Sequence, residues 1–166
     1  MLFAPLILAL GAISAAHAHR VHSPTPGDLS GLTVGPFAVQ LFKTLFFQGN
    51  LTLVNSTFDA NVAPDALINI NGQDLPPQVF LGAVNTFHAI RTATLVTPIT
   101  TPGVVPLDSA GQTGVVAEQV ITKQVSIDDG THIDQVAVAI LRVEMVNGKR
   151  LVTNWVEVQQ DTVTNA

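Results

Sequence analysis

Residues 115–160 read VVAEQVITKQVSIDDGTHIDQVAVAILRVEMVNGKRLVTNWVEVQQ. Two dipeptides in this stretch, Asp129-Gly130 and Asn147-Gly148, suit the left-handed backbone of tight β-hairpin turns. They separate three runs rich in β-branched residues, Val115 to Ile127, His132 to Val146 and Lys149 to Gln160, so the pattern predicts an antiparallel meander of long strands. A two-residue turn at Asn147-Gly148 sets Val143 opposite Val152, Leu141 opposite Asn154 and Ala139 opposite Val156. Centring the other turn on Asp129-Gly130 sets Val116 opposite Val143, Glu118 opposite Leu141 and Val120 opposite Ala139. One face of the meander is then apolar except for Glu118 and Asn154, which lie in one row with Leu141. The opposite face carries Lys123, Arg142, Glu144 and Glu157 mixed with Ile121, Val138, Ile140 and Trp155.

The residues before the meander supply the layer that covers it. Phe37, Leu41 and Leu45 recur at helical spacing beside Ala38, Phe42 and Phe46, with Pro36 suited to a first turn. Gly49-Asn50 ends this helix, and a second follows from Leu51 to about Ala60 with Val54 and Phe58 inward. Asp65 to Asn71 alternates as a short strand closed by Gly72, and Pro76-Pro77 opens a third helix that runs to about Ile90. Thr92 to Thr100 reads as a strand interrupted by Pro98, and Thr101 to Gly114 as a long loop. The expected class is α+β: N-terminal helices packed on one face of a curved antiparallel sheet.

Composition narrows the chemistry. The chain has 166 residues, 47% apolar and 11% charged, with a net charge of −5. No run of Lys or Arg can track phosphates, so no nucleic-acid partner is expected. There is no cysteine and no tyrosine, which removes disulfides, thiolate chemistry and a common proton donor. The apolar run Leu2 to Leu10, too short to span a bilayer, precedes Ala16-His17-Ala18, a small-x-small cleavage pattern. Residues 1–18 are therefore read as a secretory signal, with no membrane partner and an extracellular location. Residues 19–32 read as a flexible Pro/Ser/Gly-containing arm, 33–160 as the domain and 161–166 as a tail. Secretion gives meaning to two glycosylation sequons, at Asn50 and Asn55. Cleavage after Ala18 would also expose His19 as an amine-plus-imidazole copper chelator, but His88 and His132 lack a metal-binding spacing. No metal and no cofactor is expected.

Two helices, a strand ending in Asn71-Gly72, a third helix, and long strands ending in Gly148-Lys149 and Asn154-Trp155-Val156-Glu157-Val158 resemble the SnoaL-like branch of the nuclear transport factor 2-like (NTF2-like) superfamily. The resemblance runs from Thr33 to Gln160. It implies a cone-shaped cavity that different members use for polyketide cyclisation, ketosteroid isomerisation, dehydration, or plain binding. It also implies a homodimer, for which the Ile121, Val138, Ile140 and Trp155 face is the expected contact. The chain departs from the isomerase pattern: there is no tyrosine, and the short strand offers Asn69 and Asn71 where an aspartate base is expected.

Glu118, on a wall of Val and Ala, is the candidate acid or base, because a carboxyl removed from water is costly unless protonated, paired or functional. His88 is the second catalytic candidate, and Asn154, Asn71 and Leu141 are candidate ligand contacts. The expected function is cofactor-free binding of, or acid/base chemistry on, a small hydrophobic molecule. The rival is a non-enzymatic interaction module whose core is filled by Phe37, Phe42, Phe80 and Phe87.

Overall fold

The computed structural model describes residues 29–164. The expected signal segment, its expected cleavage site and the arm up to residue 28 lie outside the described residues. Three helices, α1 (Val34–Phe46), α2 (Leu51–Asn61) and α3 (Pro77–Ile90), pack on a sheet of seven strands. The strands are β1 (Val62–Ile70), β2 (Gln73–Leu75), β3 (Arg91–Leu95), β4 (Thr100–Pro106), β5 (Gly114–Ser126), β6 (His132–Val146) and β7 (Lys149–Thr164). Their order is β2-β1-β7-β6-β5-β3, with β4 also on the outer edge of β5. The architecture is the expected α+β arrangement. Among the described residues, no helix is long and apolar enough to cross a membrane.

Each helix forms where its apolar spacing and its ends agree. In α1, Phe37, Ala38, Leu41, Phe42 and Leu45 are buried along one stripe of a 3.6-residue period. Asn50 caps α2, its side-chain oxygen accepting from the Leu53 amide at 3.2 Å, which satisfies one of the donors left open at a helix start. Pro77 occupies the first turn of α3, where its missing N–H costs nothing. The Asn-Gly pairs behave as read. Asn147 and Gly148 lie at φ 50° and 76° between β6 and β7, and Asn71 and Gly72 at 52° and 83° between β1 and β2. Both residues of each pair have the positive φ that a type I′ turn requires.

Several elements differ from the sequence reading. β1 runs parallel to β7, with Ile68 opposite Trp155, so the sheet is not wholly antiparallel. The strand expected over residues 92–100 ends at Leu95 as β3, and residues 101–106, expected as loop, belong to β4 on β5, with Val104 opposite Val116. Pro102 and Pro106 are tolerated because β4 is an edge strand, where a missing N–H breaks no central ladder. The tail is also strand: β7 continues to Thr164, and Asp161 pairs opposite Gln135. At the other end of the domain, Leu29 is buried and Arg150 donates to the carbonyls of Leu29 and Leu32. Residues 29–32 are therefore docked rather than part of a loose arm.

Two register differences decide the interior. The β5–β6 reversal is a four-residue loop, closed by the Ser126 amide donating to the Thr131 carbonyl at 2.9 Å. This places Val116 opposite Leu141 and Glu118 opposite Ala139, two positions from the expected pairing. Because side chains alternate with period two, a slip of two leaves every side chain on its expected face. Between β6 and β7, Val143 does oppose Val152, but Arg142 opposes Asn154, so Thr153 is an extra residue in the ladder. This β-bulge reverses the phase of everything after it. Asn154, Val156 and Val158 therefore turn outward, where Val158 is 62% exposed, while Trp155 and Glu157 turn inward at 0% and 2%. The expected inward Asn154 and outward Trp155 are both corrected by one inserted residue.

Candidate functional site

The inner face of the sheet reads as three-strand rows. Val116, Leu141 and Trp155 form the first, and Glu118, Ala139 and Glu157 the second. Val120, Ala137 and Gln159 follow, then Thr122, Gln135 and Asp161. The rows change from apolar to polar along the strands, and the aromatic helices roof them. Phe42 and Phe80 pack on Trp155 with ring centroids 4.9 and 5.2 Å away. Between roof and sheet lies a cavity of about 220 Å³, smaller than the roughly 300–1,000 Å³ of most small-molecule sites. Its helix side is formed by Phe46, Phe47, Phe80 and Phe87, and its sheet side by Glu157, Gln159, Gln135, Gln124 and Asp161, with Arg91.

At the polar end the side chains close into a circuit. Arg91 Nη1 donates to Gln124 Oε1 at 3.0 Å, and Gln124 Nε2 donates to Gln135 Oε1 at 2.9 Å. Gln135 Nε2 donates to Asp161 Oδ1 at 2.8 Å, and Asp161 lies 3.9 Å from Arg91 Nη1. Residues of β3, β5, β6 and β7 are thus tied together across the sheet, and the single guanidinium of the cavity is balanced by Asp161.

Deeper in, the chemistry is acidic. Trp155 Nε1 donates to Glu157 Oε2 at 2.8 Å, and Gln159 Nε2 donates to Glu157 Oε1. Burial nonetheless outweighs these two bonds and raises the proton affinity of Glu157 above that of an ordinary glutamate. Glu118 is fully buried, and neither of its oxygens has a hydrogen-bond partner. Its pKa is pushed up to about 8, first by removal from water and second by the like charge of Glu157. Glu118 therefore favours the neutral form at neutral pH, and Glu157, whose proton affinity is raised by burial and which lines the cavity, is placed to meet a ligand.

The other residues singled out from sequence fall in different places. His88 Nε2 donates to the Leu45 carbonyl at 2.7 Å, which clamps α3 to the end of α1 outside the cavity lining. Leu141 is core between Val116 and Trp155. Asn154 faces outward and cannot reach the cavity. Asn71 sits in the β1–β2 turn, where its amide donates to the Glu157 carbonyl at 2.8 Å and its side chain accepts from the Gln159 amide at 2.7 Å. It positions the backbone on both sides of Gln159's neighbour Val158 and touches no cavity space. Asn50 is exposed, whereas Asn55 is half-buried in α2 with Thr57 of its sequon buried.

Glu157, Gln159, Arg91, Gln124, Gln135 and Asp161 were not singled out from sequence. Trp155 carried the one available signal: burying the chain's single tryptophan outweighs burying Val156 and Val158 with the opposite phase.

Solved structures share this arrangement. The chain is similar to a type 2 hexachlorocyclohexane dehydrochlorinase, with a TM-score of 0.54 at 13% identity, covering 78% of this chain and 84% of that one. It is similar to an NTF2-like protein from Prochlorococcus marinus (TM-score 0.50, 14% identity, 78% and 91% covered). A ketosteroid isomerase-like protein from Erwinia carotovora atroseptica is also similar (0.50, 7% identity, 67% and 82% covered). No protein-family model and no curated protein matches the chain. At such identities the likeness is one of fold, and that fold is NTF2-like, as the resemblance to the SnoaL-like branch implied.

Proposed function

We propose that this NTF2-like chain is a small-molecule-binding domain that seats a hydrophobic ligand between its phenylalanines and its sheet, and that it acts on such a ligand by cofactor-free acid/base chemistry through Glu157. The observation that carries this reading is a cavity left open beside a buried acid. Phe37, Phe42 and Phe80 are packed as core, yet about 220 Å³ remains beside Glu157, which favours a ligand site over a filled scaffold. A neutral Glu157 can donate its proton to a ligand oxygen; the carboxylate left behind, held by the Trp155 and Gln159 N–H groups, then takes up the proton from the carbon beside the carbonyl, which leaves an enol and regenerates the acid. Glu118 does not line the cavity. The charge of an ionised Glu157 acts on Glu118, disfavouring ionisation of both together.

The test uses 1-indanone, a bicyclic ketone with about ten heavy atoms. Calorimetry is expected to show saturable binding, and NMR in D2O an acceleration of exchange at its α-carbon. Ala137→Leu, which puts side chain into the cavity floor, should weaken binding at least about tenfold, or about 1.4 kcal/mol. Glu157→Gln should remove the accelerated exchange. Binding unaffected by Ala137→Leu, or none at millimolar ligand, would reject the site.

The supporting roles follow the same logic. The outer sheet face presents Val136, Val138, Ile140 and Val158, all at least 41% exposed, and this patch is larger than single exposed apolar residues would make. One end of it carries Lys123 opposite Asp134, the other the Arg142–Glu144 ion pair at 2.8 Å. A second copy turned about a two-fold axis covers the valines and sets opposite charges against each other. Sedimentation is expected to give a dimer, and Val138→Lys a monomer; a wild-type monomer at tens of micromolar would refute the contact. Trp155, being buried, takes no part in it.

Secretion with cleavage after Ala18 remains part of the proposal, with Asn50 as the glycosylated sequon because its side chain is exposed while Asn55 is set into α2. Intact mass of protein from a eukaryotic host should show a chain starting at His19 and carrying glycan. Asn50→Gln, which removes that sequon, should abolish the glycan, and a glycan that persists would assign it to Asn55.

A further inference from the structure

Charge in the cavity is unevenly paired. Of its lining side chains only Arg91 is basic, and it is already engaged by Gln124 and Asp161. The second acid on the lining, Glu157, has only the neutral donors Trp155 and Gln159, and Glu118 in the same row has no partner at all. From the helical side no charge answers them: His88 is turned to the Leu45 carbonyl and Lys43 is exposed on α1. The walls facing Glu157 are phenyl rings. Phe46 meets Phe80 at 74° and Phe87 at 82°, with centroids 6.5 and 6.1 Å apart, so the rings point their faces in different directions, as the walls of a cage do. Aromatic faces carry negative charge density and attract organic cations, most strongly where water is excluded.

We infer that the cavity selects hydrophobic ligands bearing a positive charge, an aromatic or alicyclic ammonium ion, over neutral and anionic molecules of the same shape. The inference rests on the cavity being a ligand site. The ligand's ammonium group stands as the counterion that Glu157 and Glu118 lack, between the acid and the rings. Binding is coupled to protons: the incoming cation opposes the rise in proton affinity that burial gives Glu157, so a protonated Glu157 releases its proton to solvent and pairs as a carboxylate with the cation. One positive charge enters for each proton that leaves, so the burial cost of an isolated charge is avoided.

The experiment compares three ligands on one ring system: 1-aminoindane, cationic at pH 7, neutral 1-indanol, and indane-1-carboxylate. Calorimetry of the full chain is expected to show 1-aminoindane binding at least about tenfold more tightly than 1-indanol, with the carboxylate weakest. Repeating the titration between pH 7 and pH 5 in buffers of different ionisation enthalpy should show proton release with 1-aminoindane that grows as the pH falls, and none with 1-indanol. Glu157→Gln should collapse the preference to within about threefold, with Trp155 emission reporting that the fold persists. Equal or tighter binding of 1-indanol or the carboxylate overturns the inference and leaves the cavity as a site for uncharged or anionic ligands. Failure of all three to bind overturns both readings. A cation preference that survives Glu157→Gln and Glu118→Gln together locates its origin elsewhere and also overturns the inference.

Discussion

Raising the pH from 5 to 9 is expected to destabilise the protein strongly, and Glu118→Leu is expected to flatten that dependence. In the unfolded chain Glu118 titrates near the ordinary glutamate value of 4.5, whereas in the fold it titrates at about 8. Between those values the native state holds a proton that the unfolded state has released, so stability falls as pH rises. The contribution is fully present below about pH 4.5 and is lost as the pH climbs through about 8. At about 1.36 kcal/mol per pKa unit the whole change is about 5 kcal/mol, comparable with the entire stability of many domains. Glu157, raised in the same direction by burial, adds to the effect.

Leu at position 118 has nothing to ionise and leaves no buried polar atom unpaired, so the variant should exceed the wild type at pH 8 and lose less stability by pH 9, keeping only the share of the loss that Glu157 contributes. Urea unfolding at intervals from pH 5 to 9 measures both. A flat wild-type profile, or a Glu118→Leu protein that loses stability in parallel with the wild type, would show that Glu118 is not a buried acid.

Trp155→Ala should destabilise by about 3–5 kcal/mol, because it deletes the largest fully buried side chain and leaves the rings of Phe42 and Phe80 facing a void. For a domain of this size that corresponds to a fall in Tm of about 10–20 °C. It also strips Glu157 Oε2 of its indole donor, so the two losses act together. Val158→Ala, three residues further along β7 on the 62% exposed side and made in the monomeric Val138→Lys protein so that no second copy covers it, should cost less than about 0.5 kcal/mol. The pair discriminates between registers. A strand without the bulge at Thr153 would bury Val158 and expose Trp155, and would reverse the order of the two effects. Thermal melts of the two variants decide the matter. Red-shifted tryptophan emission in the wild type would count against the bulged register as well.

The contrast between residues 118 and 157 shows how far a linear reading reaches. Periodicity and turn chemistry are local, and they sufficed for the three helices, the meander, the Asn-Gly reversals and the inward direction of Glu118. That last placement held although the β5–β6 loop was four residues long instead of two, since a slip of two restores the same face. Stripe residues such as Phe37, Leu41 and Phe80 were legible for the same reason: burial of one face repeats along a helix.

Glu157 was not legible, because its direction depends on Thr153 being left out of the ladder, and nothing in the alternation around it marks that position. A bulge is chosen by the fit of a whole strand against its neighbours. Here it lets Val152 stay opposite Val143 while Trp155 drops under Phe42 and Phe80, a gain visible only once the helices lie on the sheet. The circuit of Arg91, Gln124, Gln135 and Asp161 has the same origin, joining four strands drawn from residues 91 to 161. The local sequence thus determined the elements and most of their faces, because side-chain direction follows from backbone period. Tertiary packing decided which acid meets the cavity, because a single inserted residue reverses a strand's phase and its energetic justification lies in contacts made across the whole core.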